Sequence, residues 1–159
     1  MKVLFLCRYY SSHIGGVEKH VTNISRILSH NHQITIITER YDGKLPEYER
    51  MTGIEVYRIP GPGKLAVWTW VLRNQKLFND ADIIHAHDVY FWLFPYKLLH
   101  PLKKTFVTFH GWETQYPIPL KNKVIRNISE IMADGNICVG DFIAKWYGTR
   151  PDLVTYGAA

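Results

Sequence analysis

Five apolar residues, Val3-Leu4-Phe5-Leu6-Cys7, run into a short polar loop from Arg8 to Ile14, then a Gly15-Gly16 pair and a helical pattern opening Val17-Glu18-Lys19-His20. A buried strand that delivers a diglycine turn to a helix N-terminus lets backbone N–H groups approach an anion with no side chain in the way. The opening is that of a nucleotide-type α/β domain, and the other segments have to be compatible with it.

A chain of 159 residues is the size of one compact domain and can bury roughly 70% of its unfolded surface. No internal repeat or low-complexity tract divides it. The apolar run after Lys2 ends at Arg8, too short for the roughly 7–15 residues of a secretory h-region. The most apolar tract, Val89 to Tyr96, is far below the ~20 residues that span a bilayer. Cys7 and Cys138 lie in apolar strand-like runs without CxxC spacing, so they read as reduced, buried hydrophobes of a cytoplasmic protein. The net charge of +5 and pI near 9.2 favour anionic partners such as nucleotide diphosphates or an anionic membrane surface. A nucleic-acid surface would want aromatics interleaved with the basic cluster and a recognisable motif, and neither is present.

Periodicity predicts alternating strands and helices. A helix over Val17 to Leu28 precedes a strand over Gln33 to Thr38, a polar loop over Tyr41 to Gly53 and a half-exposed strand over Ile54 to Ile59. Further along come a helix from about Leu65 to Phe78, a strand over Asp82 to His87 and an aromatic helix from about Val89 to Leu99. The remainder reads as strands over Thr105 to Phe109, Gly135 to Val139 and Leu153 to Tyr156, with helices over Lys121 to Met132 and Asp141 to Tyr147 between them. About seven strands with helix-length crossovers define an α/β, doubly wound, mostly parallel, Rossmann-like sheet.

Such sheets bind ligands beyond the carboxyl ends of their strands. That rim collects Arg8 to Gly16, including His13, after the first strand. It also collects His85, His87 and Asp88 at the fourth, His110, Gly111, Trp112 and Glu113 at the fifth, and Gly140 and Asp141 at the sixth. The full G-x-G-x-x-G fingerprint is absent and no acidic residue closes the second strand, since Thr38 is expected to be followed by Glu39 only in the loop, which disfavours a nicotinamide dinucleotide. His85 and His87 share one strand face, but no third metal ligand is fixed by spacing, so a polar substrate rim is expected and no metal. Asp80-Ala81-Asp82 sits at the entry end of its strand, opposite the rim. Lys97, His100, Lys103 and Lys104 read as a solvated basic turn. Trp68, Trp70 and Phe78, if exposed, could join the basic charge in holding the domain to an anionic surface.

Five blocks carry a resemblance: V-L-F-L-C-R-Y-Y-S-S-H-I-G-G-V-E-K-H-V, A-D-I-I-H-A-H-D, F-V-T-F-H-G-W-E, A-D-G-N-I-C-V-G-D-F-I-A-K-W-Y-G and L-V-T-Y-G-A. In order and spacing they resemble the amino-terminal domain of family-4, "group 1", retaining glycosyltransferases of the GT-B type. The resemblance implies one Rossmann-like half of an enzyme that moves a sugar from a UDP- or GDP-linked donor, with retention and without an obligatory metal or other cofactor. Glycan, lipid-linked and small-molecule acceptors are all compatible. It implies that His110 is catalytic, that Gly15 and Gly16 form a loop at the donor diphosphate, and that His13, His85, His87, Asp88, Gly111 and Glu113 line the acceptor and sugar rim. Residues 1–159 are then the amino-terminal domain, expected to be inactive without the nucleotide-gripping carboxyl-terminal half, and to work in the cytoplasm, with peripheral contact at the inner face of the membrane. A non-catalytic binding or scaffold domain on the same fold is the alternative.

Overall fold

The computed structural model describes residues 1–11, 13–61, 63–111 and 116–156. Along the chain run β1 (Lys2–Cys7), α1 (Gly16–Leu28), β2 (Gln33–Glu39), β3 (Tyr48–Met51), β4 (Ile54–Ile59), α2 (Lys64–Arg73), α3 (Gln75–Asp80) and β5 (Ile83–His87). A 3₁₀ turn (Tyr90–Leu93), α4 (Phe94–Leu99), β6 (Thr105–Phe109), α5 (Leu120–Met132), β7 (Gly135–Val139), α6 (Asp141–Tyr147) and β8 (Leu153–Thr155) follow. The strands form one sheet in the order β3-β4-β2-β1-β5-β6-β7-β8. Every pairing is parallel except β3 with β4.

Alternation along β1 divides the core into two layers. Leu4 and Leu6 join Ile84, Ala86, Val107 and the inner faces of α2, α4 and α6. Val3, Phe5 and Cys7 join Ile34, Ile36 and Val56 beneath Val21 of α1. Both cysteines are fully buried and unpaired, and burial pushes the Cys138 thiol up to about 11, so neither ionises near neutrality. The chain moves from β1 to β2 on one side and returns to β5 on the other. That reversal opens the crevice at which a doubly wound sheet holds its ligand.

Among the described residues there are eight strands where periodicity predicts about seven, and β2 runs past Thr38 to end on the acidic Glu39, which was expected in the loop. The extra one, β3, lies inside the expected loop Tyr41 to Gly53 and pairs antiparallel with β4, Tyr48 against Tyr57 and Met51 against Ile54. Its residues alternate exposed and half-buried, so the strand carries no apolar signal. A buried ion pair from Arg58 to Glu49 holds it instead, with Arg58 Nη1 also donating to the Pro46 carbonyl at 3.1 Å.

Two expected helices are each broken. The Leu65 to Phe78 segment divides at Asn74, whose side-chain Nδ2 donates to the Trp70 carbonyl at 2.8 Å and closes α2. The Val89 to Leu99 segment becomes a 3₁₀ turn followed by α4, because Pro95 has no N–H to continue an α ladder. The expected exposed aromatics do not form a surface patch: Phe78 is 0% exposed, and half-buried Trp68 donates from Nε1 to the Phe91 carbonyl at 2.8 Å. The basic turn is likewise stitched rather than solvated. Buried Lys97 donates to the Lys103 carbonyl at 2.7 Å and to Asp134 at 2.8 Å. Hydrogen bonds from Lys97 and the Thr105 amide hold the Asp134 carboxyl down at about 2 against its partial desolvation.

The Arg58–Glu49 pair gives the first test. Glu49→Ala leaves a buried guanidinium with only a carbonyl partner, and because Glu49 is itself half-buried the expected cost is about 2–3 kcal/mol. Urea denaturation measures this, and amide exchange should show β3 opening first.

Candidate functional site

The rim is assembled by two parallel registers among three strands. Cys7 pairs with His87, and His87 with Thr108, so the ends of β1, β5 and β6 stand level. The Arg8 carbonyl accepts the Thr38 hydroxyl at 3.0 Å and the Glu39 amide at 2.9 Å, which fixes where β1 ends.

Beyond β1, the Tyr9 and His13 rings lie 4.5 Å apart, and both pack against Tyr41. Gly15 caps α1 in an extended conformation. A Cβ there would fall 2.1 Å from Glu18 Oε2. Gly15 therefore leaves room for the Glu18 carboxylate to fold back over the helix N-terminus, where it also meets His13 Nδ1 at 3.1 Å. Gly16 has open space around its Cβ position.

Beyond β5 the backbone turns sharply through Asp88, a non-glycine residue at φ 62°. Aspartate tolerates the left-handed region better than most side chains, and here the turn is tied down at both ends. The Asp88 amide donates to the Thr108 carbonyl at 3.0 Å, and its Oδ1 accepts the His110 amide at 2.9 Å. Beyond β6, the Gly111 carbonyl accepts from Arg126 Nη2 at 3.3 Å. The Arg126 guanidinium lies 4.2 Å from the Phe109 ring centre and 3.8 Å from that of Tyr147.

Between these ends sits a group of imidazoles. His85 and His87 stack at 4.5 Å, as their spacing on one strand face predicts. His85 Nε2 bonds the Thr108 hydroxyl at 2.7 Å, and His87 Nδ1 bonds His110 Nε2 at 2.9 Å. His20, one helical turn beyond Gly16, brings its ring centre to 4.8 Å from that of His110 and 5.7 Å from that of His87. Burial, reinforced by the neighbouring imidazoles, lowers His85 to about 4 and His110 to about 3 and holds His87 well below its usual value. Burial also lowers His20. Around neutral pH burial thus favours the uncharged form of all four rings, which offer hydrogen bonds and lone pairs rather than charge.

A cavity of about 550 Å³ opens on this rim, with Gly15, Glu18 and His13 on one wall and His87 and Asp88 on another. Phe91 and Trp92 supply apolar surface, and the carboxylates Glu18, Glu39 and Asp88 line it together with the cations Arg8 and Lys64. Aromatic faces with carboxylates that accept hydroxyl protons suit a polyhydroxylated ligand. The structure thus gathers His13, Gly15, His87 and Asp88 around one cavity, with His85 and His110 bonded behind it and Gly111 anchored beside it. Glu113 and Trp112 lie outside the described residues. Asp80 and Asp82 are at the opposite end of the sheet, where Asp82 accepts the Lys2 amide at 2.7 Å. His20 was not among the residues expected at the rim; its place one turn into the helix that follows the diglycine is the signal that could have found it.

A doubly wound sheet with its polar side chains at the β1/β5 reversal is one Rossmann-like half of the kind from which GT-B glycosyltransferases are built. A sequence profile of glycosyltransferase family 4 matches residues 14–152, and the chain belongs to that family. It is 32% identical over 99 residues to an uncharacterized glycosyltransferase of Methanocaldococcus jannaschii, covering 55% of this chain and 25% of that protein. It is 25% identical over 95 residues to the GPI3 subunit of phosphatidylinositol N-acetylglucosaminyltransferase of Saccharomyces cerevisiae, covering 54% of this chain and 21% of that protein. The chain therefore matches only about a quarter of the length of these relatives. Among solved structures, sucrose-phosphate synthase from Thermosynechococcus elongatus superposes with a TM-score of 0.73 at 10% identity, over 99% of this chain and 48% of that one.

The neutral imidazole group predicts a pH dependence. Each ring accepts a proton at 6.5 in the unfolded chain but only at lower pH when folded, so the unfolded state binds more protons in that interval. Stability is full above about pH 6.5 and falls as pH drops toward 4, by up to about 1.4 kcal/mol per pH unit for each buried ring. Urea midpoints from pH 7.5 to 4.5 should show this decline, and His87→Asn should flatten it.

Proposed function

We propose that this chain is the acceptor-side, amino-terminal half of a retaining hexosyltransferase. In this reading a second Rossmann-like half grips a UDP- or GDP-linked sugar and closes over the rim, and the chain alone is inactive. The observation that supports it most directly is His110, held behind the cavity by the His87 ring and the Asp88 carboxylate that line it. A neutral imidazole fixed at both backbone and ring can hydrogen-bond a hydroxyl of the transferred sugar without carrying charge into the reacting centre. The acceptor lies against His13, Glu18 and Asp88, whose chemistry fits a glycan, a lipid-linked sugar or a small polyol. The reaction needs no metal cofactor in this scheme.

The working place proposed is the cytoplasm, with peripheral contact at a membrane. α5 supports the contact: Leu120, Val124, Ile128 and Ile131 turn outward, 75, 46, 39 and 82% exposed, while Arg126 and Ser129 face inward. Lys121 flanks that stripe. Among the described residues no helix is long and apolar enough to cross a membrane.

In the enzyme that joins this domain to its nucleotide-gripping half, His110→Ala should lower kcat about 10²-fold or more with the fold intact. A near-normal kcat would favour the scaffold alternative. The open space at Gly16 makes Gly16→Val informative: it should fold normally and abolish transfer if the donor diphosphate lies there. Calorimetry on the isolated chain should find UDP- or GDP-sugar binding no tighter than roughly millimolar, about 4 kcal/mol. Ile131→Glu should reduce co-sedimentation with anionic vesicles, and binding indifferent to salt and lipid charge would count against the membrane contact.

A further inference from the structure

The imidazoles of His20, His87 and His110 come from three separate elements, α1, β5 and the loop after β6. One ligand nitrogen from each lies within 4.8 Å of the other two. We infer that these three side chains form a binding site for a divalent transition-metal ion, with Zn²⁺ as its representative, that a family-4 rim does not need for sugar transfer.

The geometry requires only small movements. A tetrahedral ion with nitrogen ligands at about 2.0–2.1 Å separates those nitrogens by roughly 3.3 Å. The His87–His110 pair, now 2.9 Å apart, must open slightly, and His20 must close by no more than about 1.5 Å, a ring rotation on the first turns of a half-exposed helix. All three rings are neutral, so each offers a lone pair without first losing a proton. Coordination exchanges the His87–His110 hydrogen bond for two nitrogen–metal bonds, with each ring proton on its remaining nitrogen. Imidazole-only donor sets select Zn²⁺, Ni²⁺, Cu²⁺ and Co²⁺ over Mg²⁺ and Ca²⁺. The Asp88 carboxylate, on the residue after His87 and 2.9 Å from the His110 amide it accepts, supplies negative charge nearby.

Affinity is limited by support around the ligands. His87 Nε2 is buried with no hydrogen-bond partner, and a ligand histidine that lacks an orienting partner loses about 10–100-fold in metal affinity. Binding is therefore placed near micromolar. Three protein ligands leave a fourth position open toward the cavity that His87 lines, so an ion held there withdraws His110 from any sugar. That inhibitory consequence rests on the transferase reading; the binding itself does not.

The test uses the 159-residue chain with metal alone. Zn²⁺ calorimetry should find one equivalent near micromolar affinity, and Co²⁺ should give the intense visible bands of a tetrahedral site. His20→Gln and His110→Ala should each weaken binding at least tenfold, with folding checked by circular dichroism. His30→Ala, an exposed histidine beyond the end of α1, should leave binding unchanged. Mg²⁺ should not compete. Absence of the tight equivalent, or its persistence in both His20→Gln and His110→Ala, overturns the site.

Discussion

The level registration of β1, β5 and β6 is the constraint on which the rest of this structure depends. Pairing Cys7 with His87 and His87 with Thr108 ends three parallel strands at one height, so residues far apart in sequence emerge side by side. A slip of one residue in β5 would turn His85 and His87 to the other face of the sheet and put Ile84 and Ala86 in their place. The continuous apolar layer under α2, α4 and α6 prevents that slip, because Ile84 and Ala86 are completely buried within it. Hydrophobic packing on one face thus determines hydrogen bonding on the other.

Desolvation then sets the character of the rim. Rings that would be partly charged on the surface are held neutral here, and the Arg126 guanidinium beside them is enclosed by aromatic faces. The diglycine contributes differently at its two positions. At Gly15 a side chain would displace the Glu18 carboxylate from the volume it now occupies, whereas Gly16 leaves free space beside the helix N-terminus. Any anion approaching there meets a helix end that already has Glu18 in its first turn, so a donor diphosphate would have to displace that carboxylate or share the field with it.

The central strands, α1, α5, α6 and the rim itself were legible in the sequence because strand and helix periods are strong where one face is buried. Val17, Val21, Ile24 and Leu28 of α1 fall on the core side as read, whereas Ile27, expected on the same face, is 64% exposed. What could not be read depended on contacts that no local pattern encodes. Tyr48 to Met51 is polar and becomes a strand through the distant Arg58. Asn74 and Pro95 interrupt helices whose apolar periodicity continues past them. Lys97 is a surface residue by composition and a buried one in fact, because Asp134 reaches it from 37 positions away. His20 belongs to an ordinary amphipathic helix, and only the folded arrangement of α1 against β5 and β6 makes it part of the imidazole group.

The chain at His110 and Gly111 is fastened from two sides by groups of different kinds. On the β5 side His110 is held by the His87 ring, which resists protonation only while it stays buried, and by the Asp88 carboxylate that accepts its amide. On the α5 side the Arg126 guanidinium, clasped between Phe109 and Tyr147, donates to the Gly111 carbonyl. Protonation of the rings would break into the first fastening before the second, so acid reaches this stretch of chain through its β5 side.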